Sequence, residues 1–127
     1  MSRIVIIDYG MGNLRSVSKA LESLGYPTSV SGDARTLSSC RGIVFPGVGA
    51  FRDCMANVVR QGLLPFLREY LASNRPFLGI CVGMQLMAEA GLEHGRHPGF
   101  GWIAGAAVPL APRPAEGAQK AKIPHMG

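Results

Sequence analysis

Three short apolar runs, each followed at once by a glycine-rich turn, constrain the fold of this chain more than any other feature. They read RIVII before DYGMGN, GIVF before PGVGAF, and PFL before GICVGM. Runs this short, rich in Val, Ile and Phe, are typical of strands buried on both faces of a parallel sheet. Stretches with apolar residues at helical spacing lie between them. This alternation predicts an α/β fold with an open, mostly parallel sheet and helices on both faces.

The periodicity of the apolar residues divides most of the chain into strands and helices. In chain order we predict a strand at 3–9, a helix at 12–26, strands at 27–31 and 42–47, helices at 50–62 and 63–74, a strand at 76–80 and a helix at 82–91. Asn13 is the predicted cap of the first helix, and Gly25 is its predicted stop. The apolar face of the helix at 50–62 is predicted to consist of Phe51, Met55, Val58 and Val59.

The C-terminal stretch has a different character. Residues 105–119, GAAVPLAPRPAEGAQ, are rich in Ala, Pro and Gly and predict a long loop or an irregular hairpin. KIPHMG then follows without a closing helix or strand. We therefore expect residues 1–127 to form a single, incomplete domain whose sheet is cut short. Such a sheet exposes an edge and apolar core, which predicts poor solubility or self-association.

The composition excludes several classes of protein. The chain has 127 residues, 47% hydrophobic and 17% charged, which is typical of one soluble domain. Its net charge of +5 is spread without a basic stripe interleaved with aromatics, so no nucleic-acid partner is expected. No apolar run approaches the roughly 20 residues that span a bilayer, and the N-terminus is not a secretory signal. We expect a cytoplasmic protein with no membrane partner and, with an odd number of cysteines, no disulfide framework.

Cys81 lies at the centre of a G-x-C-x-G pattern that follows an apolar run. The same spacing, with serine, forms a strand–nucleophile–helix elbow, in which flanking glycines avoid clashes across a sharp turn. Gly79 and Gly83 are these glycines, the helix start would favour a thiolate, and the N–H of Val82 would face a developing oxyanion. The alternative is a small buried core residue, the commonest fate of a free cysteine. The glycines favour a nucleophile at Cys81.

The other two cysteines lack such a context. Cys54 lies inside an amphipathic helix, and we interpret it as a core residue. Cys40 is interpreted in the same way, although it precedes RGIVF and is expected to be partly exposed.

Two further glycine turns lie at the same edge of the predicted sheet, where ligands of open α/β sheets bind. In PGVGAF, Gly47, Val48 and Gly49 form either the second half of an oxyanion hole or a plain turn, and spacing leaves both open. In DYGMGN, Arg15 occupies the place of the third glycine of a dinucleotide fingerprint. We therefore prefer a tight turn there to a nucleotide site.

None of the three histidines is a convincing base for a cysteine nucleophile. His94 and His97 lie in EHGRH, where only Glu93 could join them as a ligand, so a solvated loop is favoured over a metal site. No acidic residue follows His125 to orient it. We expect neither a metal nor a cofactor.

Four segments, IVIIDYGMGNLRSV, FPGVGAF, FLGICVGMQL and KIPHMG, together closely resemble the glutaminase subunits of imidazole glycerol phosphate synthase. GICVGMQ alone resembles the wider class of triad glutamine amidotransferases, whose fold is flavodoxin-like. The resemblance implies that Cys81 attacks the side-chain amide of glutamine, releases ammonia and forms a thioester that water cleaves. It implies an oxyanion site made of Val82 and the turn Gly47, Val48 and Gly49, in a strand that reorients when the partner is occupied.

The resemblance also implies binding residues and a partner. Gln85 matches a substrate contact, and Glu93 matches an acid that holds the amino group of glutamine. The partner would be a (β/α)-barrel cyclase of histidine biosynthesis, which receives the ammonia through a tunnel and gives the heterodimer its lyase activity. Asn13 and the PHMG segment, with His125 and Met126, match regions that lie towards this cyclase.

One departure from the family is large. The family's catalytic His-x-Glu pair follows PHMG, and the 127 residues of this chain contain no such pair. The chain alone is thus expected to have negligible glutaminase activity. The competing hypotheses are a non-catalytic module that docks on the cyclase or binds a nucleotide, and a redox-sensing or peptidase-like protein with the same elbow. Gln85 and PGVGAF argue against the last of these.

Overall fold

Residues 3–110, described by a computed structural model, are built on a four-stranded parallel sheet. The elements in chain order are β1 (Ile4–Ile7), α1 (Leu14–Ser23), β2 (Thr28–Ser31), α2 (Ala34–Ser38), β3 (Gly42–Gly47), α3 (Phe51–Arg60), α4 (Leu64–Ala72), β4 (Phe77–Cys81), α5 (Val82–Gln85), β5 (Ala88–Gly91), β6 (His97–Pro98) and β7 (Ile103–Ala107). The main sheet has the order β2-β1-β3-β4, and all three neighbouring pairs are parallel. The predicted parallel α/β sheet is confirmed.

The core lies on the face of the sheet that carries α3 and α4. Its sheet residues alternate along the strands because successive side chains point to opposite faces. The buried members of this face are Val5, Ile7, Ile43 and Phe45 from the sheet, with Phe51, Cys54, Met55, Val58, Leu67, Tyr70 and Leu71 from α3 and α4. Phe45 is central: its ring lies 4.7 Å from that of Tyr9, 5.6 Å from Phe100 and 5.9 Å from Phe77. Burying each such side chain contributes about 1.5–3 kcal/mol.

Among the helices of residues 3–110, α1 lies on the opposite face of the sheet. This helix has no buried residue, and a groove beside it is lined by apolar residues that include Val44, Leu78 and Ile80. Within residues 3–110, β4 has a neighbouring strand on one side only, and the Leu78 side chain is 53% exposed. An apolar edge strand of this kind is a site for pairing with another chain. No helix in the same span is long and apolar enough to cross a membrane.

The predicted helix signals of the first half are confirmed. The Asn13 side chain accepts a hydrogen bond from the Ser16 N–H and caps α1. Gly25 follows the end of α1 with a φ of +86°, and its N–H donates to the carbonyl of Glu22. The short helix α2 was not predicted, since its five residues contain only one buried side chain, Leu37.

One prediction about burial is wrong. Val59 is 56% exposed, and Cys54 takes its place on the buried face of α3. The reason is that buried positions 51, 54, 55 and 58 follow the i, i+3, i+4, i+7 spacing of a helix face, which excludes position 59. The interpretation of Cys40 as a core residue is confirmed. Its side chain is only 5% exposed, less than the partial exposure expected, and its thiol donates to the Leu37 carbonyl.

The predicted helix at 82–91 is wrong beyond Gln85. After α5 the chain enters a second, three-stranded sheet with the order β6-β5-β7. The N–H of Phe100 donates to Leu86 and that of Ile103 to Met87, so carbonyls that a helix would use pair with a later segment. β7 also occupies the start of the predicted loop at 105–119, of which residues 111–119 lie outside the described span.

Leu78→Lys should reduce self-association of the chain. A charge on the exposed edge disfavours pairing with a second sheet. Size-exclusion chromatography with light scattering should show a larger monomer fraction than for the unsubstituted chain. Val59→Lys, which adds the same charge at a comparably exposed site on α3, is the control. Equal effects of the two substitutions would point to net charge rather than to the edge.

The chain should lose stability at alkaline pH. Burial, with a smaller effect of Cys40, raises the pKa of Tyr70 from 10.0 to about 12, and burial also raises that of Tyr9. The folded state therefore keeps protons that the unfolded state loses. Stability is full below pH 10.0 and falls as the pH rises towards about 12. Urea midpoints should show this decline, and Tyr70→Phe should make it shallower; an unchanged slope would contradict the assignment.

Candidate active site

Cys81 occupies a strained turn between β4 and α5. Its φ is 57° and its ψ is −124°, a backbone conformation that residues other than glycine rarely adopt. Such strain costs about 1–3 kcal/mol and is concentrated at functional sites. Of the three cysteines, Cys40 and Cys54 are buried and Cys81 is exposed. The structure thus gives Cys81 the predicted elbow geometry and an accessible thiol.

The two glycines that flank Cys81 are required by close backbone approaches. A Cβ at Gly83 would overlap the carbonyl oxygen of Phe45, a rigid backbone atom of β3. A Cβ at Gly79 would lie 2.7 Å from the Cα of Met84. The predicted steric role of the glycines is confirmed, and it has a second consequence. It brings the backbone at the start of α5 against the backbone of β3.

The turn at Gly47, Val48 and Gly49 lies beside the elbow. Gly47 pairs with Cys81 in the register of β3 and β4. A Cβ at Gly47 would lie 2.7 Å from the backbone nitrogen of Gly83. Val48 is exposed, and Gly49 has a φ of +91°. The arrangement brings the turn next to the backbone that begins α5.

Tyr9 and Cys54, for which sequence reasoning predicted no role at the site, hold this turn through hydrogen bonds. The Tyr9 hydroxyl donates to the Pro46 carbonyl at 2.7 Å, and the Cys54 thiol donates to the Val48 carbonyl at 3.2 Å. Burial raises the pKa of both groups, so both remain protonated donors near neutral pH. The available signal was position: Tyr9 is the second residue after β1, and Cys54 is in the first turn of α3.

The two predicted substrate residues lie on different elements. Gln85 is the exposed last residue of α5, one turn after Cys81. Glu93 lies in the loop after β5, and its carboxylate accepts a hydrogen bond from the Phe51 N–H at 3.3 Å. That N–H begins α3, two residues after Gly49, so Glu93 is brought to the end of the turn. A carboxylate at a helix N-terminus is also stabilising in its own right.

The remaining predicted residues do not join Cys81. His94 is exposed in the loop before β6, and His97 is the half-buried first residue of β6; a ring nitrogen of His97 bonds the His94 carbonyl at 2.8 Å. Among residues 3–110, no hydrogen bond reaches the Cys81 thiol, and no three side chains form a metal site. Asn13 caps α1. His125 and Met126 lie outside the described residues.

The DYGMGN turn is used for packing. Gly10 has a φ of +89°, and a Cβ at Gly12 would lie 3.0 Å from the Pro46 side chain. The glycines therefore let the end of β1 approach β3 closely. This supports the tight-turn interpretation of DYGMGN over a nucleotide site.

Comparison with known proteins identifies the family. The class-I glutamine amidotransferase family matches residues 5–127. The chain belongs to this family. A crystal structure of a glutamine amidotransferase superposes with a TM-score of 0.64 at 19% identity, covering 76% of this chain and 51% of that one. This likeness shows the fold.

Closer relatives carry a more specific name. The chain is 45% identical over 127 residues to the imidazole glycerol phosphate synthase subunit HisH of Geobacter sulfurreducens, covering all of this chain and 61% of that protein. It is 51% identical over 124 residues to the HisH subunit of Desulfitobacterium hafniense, covering 98% of this chain and 56% of that protein. The amidotransferase chain described here thus spans about three fifths of the length of these relatives.

Cys81→Gly should stabilise the chain. Glycine adopts the backbone angles of the elbow without strain, which outweighs its larger loss of entropy on folding and leaves a gain of about 1 kcal/mol. Urea denaturation should show a higher midpoint. Cys40→Gly, at a buried site with an ordinary backbone, should lower the midpoint. A loss of stability in Cys81→Gly like that in Cys40→Gly would refute strain at the elbow.

Proposed function

We propose that this chain carries the nucleophile half of the glutaminase site of an imidazole glycerol phosphate synthase. The observation that carries the proposal is the pairing of the strained, exposed Cys81 with Gly47, which sets a thiol beside two glycine-rich backbone segments. A cysteine whose role is only to fill the core would be buried and would have an ordinary backbone conformation, as Cys40 and Cys54 do. The match of the chain to HisH subunits supports glutamine as the substrate.

The proposed chemistry is acyl transfer through a thioester. The Cys81 thiolate attacks the side-chain amide carbon of glutamine, and the carbonyl oxygen becomes an oxyanion. N–H groups of Val82 and of the turn at Gly47, Val48 and Gly49 stabilise that charge. The C–N bond then breaks and ammonia leaves with an added proton. Water cleaves the thioester, which releases glutamate and restores the thiol.

The substrate is held by residues around the turn. Gln85 contacts the glutamine from the exposed end of α5. Glu93 binds the amino group of glutamine. Its carboxylate is suitably placed, because it bonds the N–H of Phe51 at the start of α3, beside the turn. The proton transfers require a base, and the family's His-x-Glu pair has no counterpart in the 127 residues. Residues 1–127 therefore act as one incomplete amidotransferase domain.

The partner in this proposal is a barrel-shaped cyclase that consumes the ammonia in histidine biosynthesis. Asn13, His125 and Met126 face this cyclase in a cytoplasmic heterodimer, in which the cyclase supplies the lyase step. Asn13 is exposed at the start of α1, as an interface residue must be, while its side chain caps that helix. The proposal involves no cofactor, metal or nucleic acid.

The purified chain should bind a reactive glutamine analogue without turning glutamine over. A diazoketone analogue should label Cys81 slowly and leave Cys40 and Cys54 unmodified, because those two side chains are 5% and 0% exposed. Peptide mapping by mass spectrometry reads out the label, and an ammonia assay should show negligible hydrolysis. An excess of glutamine should protect Cys81.

Two results would contradict the proposal. Glutamine turnover that Cys81→Ser abolishes would show that the chain has a complete site of its own. Modification of Cys81 by peroxide, with no labelling by the analogue, would favour a redox-sensing elbow protein instead.

A further inference from the structure

Two buried side-chain donors hold the peptides on either side of the Gly47–Val48 peptide. Tyr9 binds the carbonyl of Pro46 at 2.7 Å, and Cys54 binds the carbonyl of Val48 at 3.2 Å. A peptide unit is planar, so a fixed carbonyl also fixes the N–H of the next residue. The Tyr9 bond thus fixes the Pro46–Gly47 peptide, which ends the ladder of β3 with β4, and the Cys54 bond sets the N–H of Gly49. The N–H of Val48 lies between two anchored neighbours.

The turn needs such anchors because its own residues restrict its backbone angles only weakly. Gly47 and Gly49 tolerate a wide range of backbone angles, and Gly49 already has a φ of +91°. Val48 is 48% exposed, so packing on its side chain does little to fix it. Loss of either donor would leave a carbonyl unpaired and let its peptide rotate. The N–H groups of the turn would then point in a wider range of directions.

Both anchors are tied to α3. Cys54 belongs to this helix, and two further side chains, one in the helix and one at the residue that ends it, bind the backbone of Tyr9. Asn57 donates to the Tyr9 carbonyl at 3.2 Å, and Gln61 donates to it at 2.9 Å. The ring of Tyr9 is stacked on that of Phe45, and both are fully buried. The hydroxyl and the thiol therefore approach the turn from a rigid base.

We propose that Tyr9 and Cys54 are positioning residues that direct the N–H groups of Val48 and Gly49 at the oxyanion formed on Cys81. This inference rests on the proposed acyl-transfer function of Cys81. It adds that α3, which carries Cys54, and the segment after β1, which carries Tyr9, determine how well the turn stabilises negative charge. Neither residue touches the substrate.

The test compares two reactions of Cys81 in the 127-residue chain. In acylation by para-nitrophenyl acetate, the sulfur attacks the ester carbon through an oxyanion and nitrophenolate leaves with the electron pair. In alkylation by iodoacetamide, the sulfur displaces iodide and no oxyanion forms. Peptide mapping gives the rate at Cys81 in each case. The ratio of the two rates therefore reports oxyanion stabilisation and cancels changes in thiol exposure or ionisation.

Tyr9→Phe should lower the acylation rate by about fivefold, the effect of one hydrogen bond, and leave alkylation unchanged. The phenyl ring preserves the stack on Phe45, so the fold should persist, as circular dichroism will check. Tyr70→Phe is the matched control, because it removes a similar bond, from a buried tyrosine hydroxyl to the Pro76 carbonyl at 2.9 Å, away from the turn. It should leave the ratio unchanged.

A pair of substitutions at Cys54 makes the test independent of Tyr9. Cys54→Ala should lower the ratio, and Cys54→Ser, which keeps a donor at the same place, should retain it. A fall in both rates together, or the same loss in Cys54→Ser as in Cys54→Ala, would show a structural role and overturn the inference.

The reference is the same chain unfolded in guanidinium. A folded wild-type ratio no higher than the unfolded one would overturn the proposed function and, with it, the positioning role. A raised wild-type ratio that survives both Tyr9→Phe and Cys54→Ala would overturn the positioning role alone.

Discussion

The close approach of two backbones, that of β3 and that of the first turn of α5, is the constraint on which the rest of the site depends. It exists because Gly83 has no side chain to overlap the Phe45 carbonyl, and because Gly47 has none to meet the nitrogen of Gly83. With the two segments in contact, the chain leaving β4 must turn sharply. The strained φ of 57° at Cys81 is the result of that turn. A well-packed core around Phe45 supplies the energy that holds it.

Much of the fold was predictable from local pattern. Three strands of the main sheet, β1, β3 and β4, were foreseen because continuous apolar runs rich in Val, Ile and Phe are typical of parallel sheets. The fourth, β2, was foreseen from the short stretch PTSVS after the first helix. The helix predicted after the elbow was too long. The stretch MQLMAEAG has helical propensity, but hydrogen bonds to a later segment of the chain override it. Carbonyls of Leu86 and Met87 bind Phe100 and Ile103, and no local window contains both partners.

The same distinction separates what was foreseen at the site from what was not. The cysteine, its glycines and the neighbouring turn are marked by spacing, because steric exclusion requires residues of one kind at fixed offsets. Tyr9 and Cys54 support the turn through single hydrogen bonds across 37 and 6 residues. Many residue types could fill such positions, so the sequence carries no pattern for them. Glu93 was proposed from the resemblance, and its bond to the start of α3 became visible only in the fold.

The backbone strain at Cys81 has a consequence for the history of this chain. Random mutation can place any residue at position 81, and glycine there would make the folded state more stable. A lineage released from catalysis would drift towards that replacement, since nothing else in the structure requires a thiol at an exposed turn. Under the proposed function, cysteine at this position reflects selection for chemistry, acting against the preference of the fold.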